Sequence, residues 1–400
     1  MLFKRNKISI NNQKRIILVL FFMSLSIGIW FNYRQIWLLD NLIAIEKIGK
    51  ILSIGFLGSS IISIIVSFFS TKVKIKEILV LTTSISIVSM IGLLFLYKSD
   101  NIYLIKLLVL LTIICENLFL VGIYPLLTTV KKSSMMFEKN TIVQNLGKDL
   151  GVFIGGIFIG RVLFNYKLDS NFCLLLSIIL SLISFYFLIT IRYEKDNTNK
   201  IKIKKYKDAL KEIFSKKIIV IYFLFCFFLN IAWDTVMGLQ FILLTDTFSF
   251  TENISSNFLL IFGMISTFIA IFVVRKIKFK NNFRACLYKY GTRAILYLIA
   301  FILNSKICFI LAFTVTLLNS RMASKYTDGR YINVISDDLQ LMISNLRFVM
   351  ICLGETVGLF IAGIVFNYGV KYLFLVAFLF YMVALILSYY LSIMYDNKRF

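Results

Sequence analysis

The chain has 400 residues, 59% of them hydrophobic, and a mean hydropathy of +0.86, which excludes an ordinary soluble domain because such a domain needs polar cover. No histidine is present, which excludes His-ligated metals and any Ser-His or Cys-His catalytic pair. The net charge of +24 would indicate nucleic-acid binding in a soluble protein, but here the basic residues are concentrated in the loops between apolar segments.

Twelve segments have the length and apolar character of membrane-spanning helices. A hydrocarbon core about 30 Å thick needs about 20 apolar residues in a helix. The ninth segment is the most polar of them, because Lys289 and Arg293 lie inside it. The first is too long for a signal peptide and lacks a small-residue cleavage site, so we expect an uncleaved span. The predicted spans are 16–39, 48–70, 78–97, 102–129, 142–164, 171–191, 218–244, 254–274, 285–303, 307–324, 341–366 and 372–395.

The loops alternate in charge, which predicts the orientation of the chain. One set, including both termini, carries most of the Lys and Arg residues, and short basic loops stay in the cytoplasm. The richness in Ile, Lys and Asn is typical of an AT-rich bacterial genome, so we expect a bacterial cytoplasmic membrane with both termini inside. The opposite set holds only Lys47, Lys50, Lys98, Arg161, Lys167, Lys306 and Lys371.

The longest polar stretch, 192–217, divides the chain into an N-terminal six-helix bundle at 1–191 and a C-terminal one at 218–400. Its apolar residues recur at helical spacing among lysines, which favours an amphipathic helix on the anionic inner leaflet, and a solvated basic linker is an equal alternative. These apolar residues are Tyr206, Ala209, Leu210, Ile213 and Phe214.

The two halves resemble copies of one another. Leu146–Ile157 aligns with Leu353–Ile364 at a shift of 207 residues, with identical glycines in register. The basic stretches 72–76 and 276–280 follow spans 2 and 8 at a shift of 204. A direct repeat of six spans predicts two pseudo-symmetric bundles related by an axis along the membrane normal. Glycines four residues apart allow helix backbones to approach closely.

This layout resembles the major facilitator superfamily of secondary transporters over essentially the whole chain. The family's loop between spans 2 and 3 usually reads G-x-L-x-D-R-x-G-R-K, and residues 67–76 keep two basic positions while losing the acid and both glycines. The antiporter pattern G-x-x-x-G-P-x-x-G-G of span 5 is kept in part, at Gly151, Gly155 and Gly160. Gly156 stands in place of the proline, and Ile159 in place of a glycine. The resemblance implies an all-α integral membrane protein that works by alternating access, and the partial pattern slightly favours export.

Six ionisable residues are predicted to lie near the bilayer centre, where a charge costs at least about 2.5–3.5 kcal/mol and normally faces a cavity or a partner. They are Arg34, Glu116, Lys148, Asp149, Asp234 and Glu355. Arg34, among aromatic and amide groups of span 1, matches an anionic or zwitterionic substrate, and the alternative is an arginine reaching the membrane surface. Span 7 has similar groups, and the resemblance implies that spans 1, 4, 7 and 10 line a central cavity. The substrate-binding or coupling candidates are Trp30, Tyr33, Arg34, Gln35, Glu116, Asn117, Trp233, Asp234 and Gln240.

The remaining charges are candidates for coupling or gating. Glu116 in span 4 either gains and loses a proton or forms a static ion pair with Arg34 or Lys148. Lys148 and Glu355 occupy equivalent repeat positions and form either an ion pair between the halves that breaks at an inner gate or separate pairs. In the second case Lys148 pairs with Asp149 or Glu116, which leaves Glu355 for Arg347 or Lys325.

These patterns predict a secondary active transporter of a small solute, driven by protons, monomeric and neither an enzyme nor a nucleic-acid binder. No phosphate-binding G-x-x-x-x-G-K-[ST] motif occurs, so we expect an ion gradient to supply the energy. The six cysteines lie singly in apolar runs, and we expect no metal or other cofactor. The alternatives are a flippase for a lipid-like substrate and a non-transporting membrane sensor or assembly protein on the same fold.

Overall fold

The computed structural model describes residues 2–41, 43–69, 75–130, 170–191, 206–269, 282–319 and 340–396, and eight positions between 143 and 154. Within these residues the secondary structure is helical and no strand occurs. Several predicted features lie outside the described residues. They are Asp149, Lys325, most of the fifth predicted span and of the two basic stretches, and residues 192–205 of the linker.

The described helices match most of the predicted spans, but α1 begins at Leu2 rather than at residue 16. The first half contains α1 (Leu2–Asp40), α2 (Ile45–Phe69), α3 (Ile75–Phe95), α4 (Ile102–Val130) and α5 (Ser170–Thr190). The short α6 (Tyr206–Ser215) lies within the polar stretch 192–217. The second half contains α7 (Lys217–Met237), α8 (Glu252–Phe268), α9 (Thr292–Leu303), α10 (Lys306–Leu318), α11 (Gln340–Val365) and α12 (Val370–Asp396).

Two helices, α7 and α9, are extended at one end by an irregular segment that contains a π-helical turn. Beyond Gly238, α7 continues as Gln240–Ile242 and a π-helical turn, Leu243–Thr247. Before α9, the helical stretch Asn282–Cys286 and a second π-helical turn, Leu287–Gly291, complete the ninth predicted span. A π-helical turn inserts a residue into the helical ladder and is common at functional sites.

Nine helices of the described chain are long and apolar enough to cross a membrane, and two shorter apolar helices accompany them. Many large apolar side chains on these helices are exposed, including Leu81, Val88, Tyr186, Ile295 and Ile386. In water such a surface would be unfavourable, whereas lipid covers it without cost. The chain is therefore a multi-pass membrane protein.

The chain forms two compact units. Unit 1 comprises Met1–Ile43, Phe69–Asn199 and Ser249–Ile261, whereas unit 2 comprises Ala44–Phe68, Lys200–Phe248 and Phe262–Phe400. In unit 1, α1 packs along α5 through small polar side chains. The Ser26 hydroxyl hydrogen-bonds the Ser177 carbonyl at 2.9 Å and the Ser181 hydroxyl at 2.8 Å. Such small residues let helix backbones approach closely within a membrane.

The repeated glycines form the same helix crossing in each unit. A Cβ atom on Gly147 would lie 2.9 Å from the Phe21 carbonyl oxygen of α1, and one on Gly354 would likewise meet the Phe227 carbonyl oxygen of α7. Phe21 and Phe227 are 206 residues apart, and Gly147 and Gly354 are 207 apart. The register that the sequence predicts is thus present in the packing.

One helix turn further along, the two crossings differ in chemistry. A Cβ on Gly151 would lie 3.0 Å from the Gly28 Cα, whereas one on Gly358 would lie 3.1 Å from the Asp234 Cβ. Gly28 and Asp234 are again 206 residues apart. Unit 2 therefore carries a carboxyl group where unit 1 has only a hydrogen atom.

In unit 2, α2 packs against α11 although the two helices are distant in sequence. A Cβ on Gly49 would lie 3.0 Å from the Gly363 Cα, so the backbones approach closely. The Ser53 hydroxyl donates to the Thr356 carbonyl oxygen at 2.9 Å. This crossing ties a helix of the first half to unit 2.

Candidate functional site

Arg34 and Glu116 form a buried ion pair in unit 1. The Arg34 Nη1 lies 3.5 Å from the Glu116 Oε2, and the side chains are 1% and 6% exposed. Arg34 is therefore buried beside Glu116, and the roles predicted for both residues stay predictions. The two side chains share one contact, and its distance is long for a salt bridge. The Arg34 Nε has no hydrogen-bond partner within the described part of the chain. Because guanidinium groups favour two-pronged contacts with carboxylate or phosphate, Arg34 retains donor capacity for a ligand.

The Phe31 ring lies against this ion pair, and two tryptophans lie on the same helix. The Phe31 ring centroid lies 5.4 Å from the Arg34 Cζ, and the Trp30 indole nitrogen is 3.5 Å from the Thr112 hydroxyl of α4. The Trp30 and Trp37 rings meet edge to face at 6.0 Å. Predicted site residues Tyr33 and Gln35 are also buried in unit 1, and Asn117 is half-buried beside Glu116. The structure thus places the first-half candidates on α1 and α4 of unit 1, with Arg34 and Glu116 paired and the Phe31 ring against the guanidinium.

Lys148 belongs to the same unit. It lies within electrostatic range of Glu116, and its backbone packs directly against Gly28 of α1. This arrangement favours the predicted pairing of Lys148 within the first half. The ion pair between Lys148 and Glu355 stays a prediction, and Asp149 lies outside the described residues.

The second-half candidates lie in unit 2 around α7. Asp234 is 7% exposed, and its Oδ2 has no hydrogen-bond partner among the described residues. Glu355 of α11 is half-buried and lies within electrostatic range of Asp234. Trp233 is half-buried, and Gln240 begins the helical stretch beyond Gly238.

Sequence reasoning missed a buried arginine network in unit 2. Arg293, 1% exposed, donates from Nε to the Asn319 side-chain oxygen, from Nη1 to the Tyr381 hydroxyl at 3.2 Å and from Nη2 to the Thr316 carbonyl at 3.1 Å. Its Cζ also lies 4.9 Å from the Trp233 ring centroid, a cation–π distance. Within the described residues its hydrogen-bond partners are all neutral, so the positive charge is held by dipoles and aromatic faces.

The same network supports the π-helical turn before α9. The Asn319 amide nitrogen donates to the Lys289 carbonyl oxygen and to the Thr292 hydroxyl, both at 3.1 Å. A π-helical turn disturbs the regular backbone ladder, and a side-chain donor of this kind compensates for it. In the sequence Lys289 and Arg293 only made the ninth span less apolar, although two basic residues inside a span were a signal for buried polar partners.

Comparison with known proteins adds evidence about the fold. Neither a protein-family model nor a curated protein matches the sequence. The structure is similar to the crystal structure of the nucleoside transporter NupG, with a TM-score of 0.65 and 14% identity over 96% of this chain and 99% of that one. It is also similar to the crystal structure of the human organic anion transporter MFSD10 (TETRAN). That match has a TM-score of 0.67 and 10% identity over 94% of this chain and 98% of that one.

The chain has the major facilitator fold. Both similar structures are transporters of the major facilitator superfamily, and each is matched over nearly its whole length. The major facilitator fold accounts for the repeated crossings, since its two six-helix halves are related repeats. The Arg34 and Asp234 groups lie on the first helix of each half, α1 and α7.

Proposed function

We propose that this protein is a secondary active transporter of a small anionic or zwitterionic solute, driven by protons through alternating access. The observation that carries the proposal is the buried Arg34–Glu116 pair, with the Phe31 ring against the guanidinium, on a transporter fold. Charges inside a membrane protein are costly and normally mark a substrate or ion path. Chemistry favours a zwitterion, because the pair offers a guanidinium for a carboxylate or phosphate and a carboxylate for an ammonium group.

The geometry of the pair supports substrate binding better than a purely structural role. A structural arginine–carboxylate pair is usually bidentate and short, whereas this one has a single contact of 3.5 Å. A ligand that supplied a second acceptor for Arg34 would satisfy the donor capacity that Glu116 leaves unused. The glycine pattern of the fifth predicted span favours export. The loop charges favour cytoplasmic termini, and the richness in Ile, Lys and Asn favours a bacterial plasma membrane.

The first experiment identifies the solute and the direction. Purified protein is screened for thermal stabilisation by amino acids, peptides, nucleosides, sugars and amphipathic drugs, and stabilising compounds are then tested in proteoliposomes. We expect uptake that rises with an imposed pH gradient and collapses with a protonophore. Export predicts accumulation in everted vesicles. Absence of solute movement across all pH and ion gradients would leave the flippase or sensor alternatives.

A matched pair of variants links transport to the site. Glu116→Gln leaves Arg34 buried without its counter-charge and should abolish ligand-dependent stabilisation. Glu46→Gln breaks the exposed Lys50–Glu46 pair by the same carboxyl-to-amide change and should leave ligand binding at the wild-type level. Equal loss of binding in the two variants would contradict the assignment of the site.

A further inference from the structure

Arg293 carries a buried positive charge that no acidic group of the described chain balances. It lies in the middle of the apolar span Phe283–Leu303 and is 1% exposed. The ion pairs of the described residues are those of Arg34 and Lys50, and neither involves Arg293. A charge inside a membrane protein is costly and normally has a partner of opposite sign or faces a ligand. The burial of Arg293 therefore calls for a negative charge beside it.

Neutral groups hold the Arg293 guanidinium in a fixed position. The Asn319 side-chain oxygen accepts from Nε, and the Thr316 carbonyl oxygen accepts from Nη2. Asn319 is itself held, because its amide nitrogen donates to the Lys289 carbonyl oxygen and to the Thr292 hydroxyl. These contacts orient the guanidinium and leave its charge in place.

Three donors around this charge have no acceptor among the described residues. A guanidinium has five N–H groups, and three of them are engaged, which leaves one on Nη1 and one on Nη2. The third spare donor is the Tyr381 hydroxyl. It accepts from Nη1 at 3.2 Å, and since arginine can only donate, the hydroxyl hydrogen is not used in that bond. Spare donors and a positive charge in one buried place are the complement of an anion.

Aromatic rings limit the size of an anion at this place. The guanidinium carbon lies 4.9 Å from the Trp233 ring centroid, 5.7 Å from that of Tyr290 and 5.9 Å from that of Tyr381. Ring faces attract a guanidinium but carry no net negative charge, so they lower the cost of burial without balancing the charge. A guanidinium enclosed in this way suits an ion of the size of chloride or formate and excludes a larger solute.

We propose that unit 2 contains a site for a small monovalent anion, chloride or a carboxylate of the size of formate, bound by Arg293 and the Tyr381 hydroxyl. One negative charge neutralises the guanidinium, and the three spare donors satisfy its lone pairs. Arg34 in unit 1 differs, because Glu116 already supplies its counter-charge. An anion that binds only the folded protein stabilises it by mass action, so the site can be measured without transport. It does not depend on the proposed function.

Thermal unfolding of the purified whole protein in detergent tests the site. Sodium chloride replaces sodium gluconate at constant ionic strength, since gluconate is too large for the site. We expect the melting temperature to rise with chloride and to level off. We also expect the chloride NMR signal to broaden with protein and to sharpen again when formate is added. No response to chloride, or a linear change without saturation as in a general salt effect, would overturn the site.

Two matched pairs of variants locate the anion. Arg293→Gln should abolish the chloride response, whereas Arg284→Gln, at an exposed position of the same unit, should keep it. Tyr381→Phe removes one donor and should weaken chloride binding at least about tenfold, the effect of one hydrogen bond to a charged group. Tyr389→Phe, on an exposed part of α12, should bind chloride as the wild type does. The tyrosine pair keeps the test valid if Arg293→Gln does not fold.

Three results would contradict the assignment. The first is equal chloride binding in Tyr381→Phe and Tyr389→Phe. The second is a chloride response that survives Arg293→Gln, and its loss in Arg34→Gln would then transfer the anion to the ion pair of unit 1. The third is stabilisation by acetate and larger carboxylates without any by chloride or formate, because the site would then take the carboxylate of a solute rather than a small ion.

Discussion

The crossing of α7 and α11 at Gly358 leaves no room for a methyl group. The loss of stability in Gly358→Ala measures how tightly the two backbones are packed. The new Cβ would lie 2.8 Å from the Ile231 carbonyl oxygen, where ordinary contact begins at 3.4 Å, so the backbones must separate by about 0.6 Å. Overpacking of this kind costs about 1–3 kcal/mol, and the better helix propensity of alanine returns about 0.5–1 kcal/mol. We expect a net loss of stability of up to about 2.5 kcal/mol.

Gly92 offers a control with the same nearest distance. A Cβ there would also meet an atom at 2.8 Å, but that atom is the terminal Cδ1 of Leu108, a side chain that can change rotamer. Gly92→Ala should therefore leave the melting temperature unchanged or raise it slightly, whereas Gly358→Ala should lower it by a few degrees. The assay is thermal unfolding of both variants in the same detergent. Equal shifts in the two variants would refute the argument that the rigid carbonyl, rather than the distance, decides the cost.

Two further predictions concern buried charges. Arg293→Lys keeps the charge but loses the planar fork, so we expect about 2–4 kcal/mol less stability in thermal unfolding, whereas Arg284→Lys at an exposed position should be neutral. If the two lysine variants unfold at the same temperature, the network around Arg293 contributes nothing. A charge exchange separates the two predicted pairings of Lys148: if Lys148 pairs with Glu355, the double variant Lys148→Glu and Glu355→Lys restores the solute uptake that each single change abolishes. Absence of rescue would reject that ion pair.

The sequence predicts much of this fold because its signals are physical requirements of the bilayer. Apolar length determines most of the helices, and the glycines of 146–157 and 353–364 predict the crossings at Gly147 and Gly354 because only a missing Cβ allows that approach. A choice between partners for Glu116 was not predictable, since Arg34 and Lys148 are equally plausible without distances. In the structure Arg34 makes the ion pair.

The Arg293 network was beyond sequence reasoning for a different reason. Its acceptors are a hydroxyl, an amide oxygen and a backbone carbonyl, and such neutral groups are common in every span. A neutral polar partner therefore cannot be recognised from the sequence of a span, whereas a carboxylate partner could be. Asp234 was predicted as a candidate, but the sequence could not show that its Oδ2 is buried without a hydrogen-bond partner among the described residues, since this depends on the packing of α11 against α7.

The contact between α2 and α11 has a consequence for biosynthesis. Ser53 and Thr356 meet across a sequence separation of 303 residues, and both belong to unit 2. During translation α2 enters the membrane long before α11 is made. Until α11 is inserted, the small-residue face of α2 around Gly49 is therefore covered by lipid or by another helix. Unit 2 is complete only after nearly the whole chain has been inserted. Truncation before α11 would therefore leave α2 without its packing partner. The helix exposed to a quality-control protease would then lie near the beginning of the chain rather than at its end.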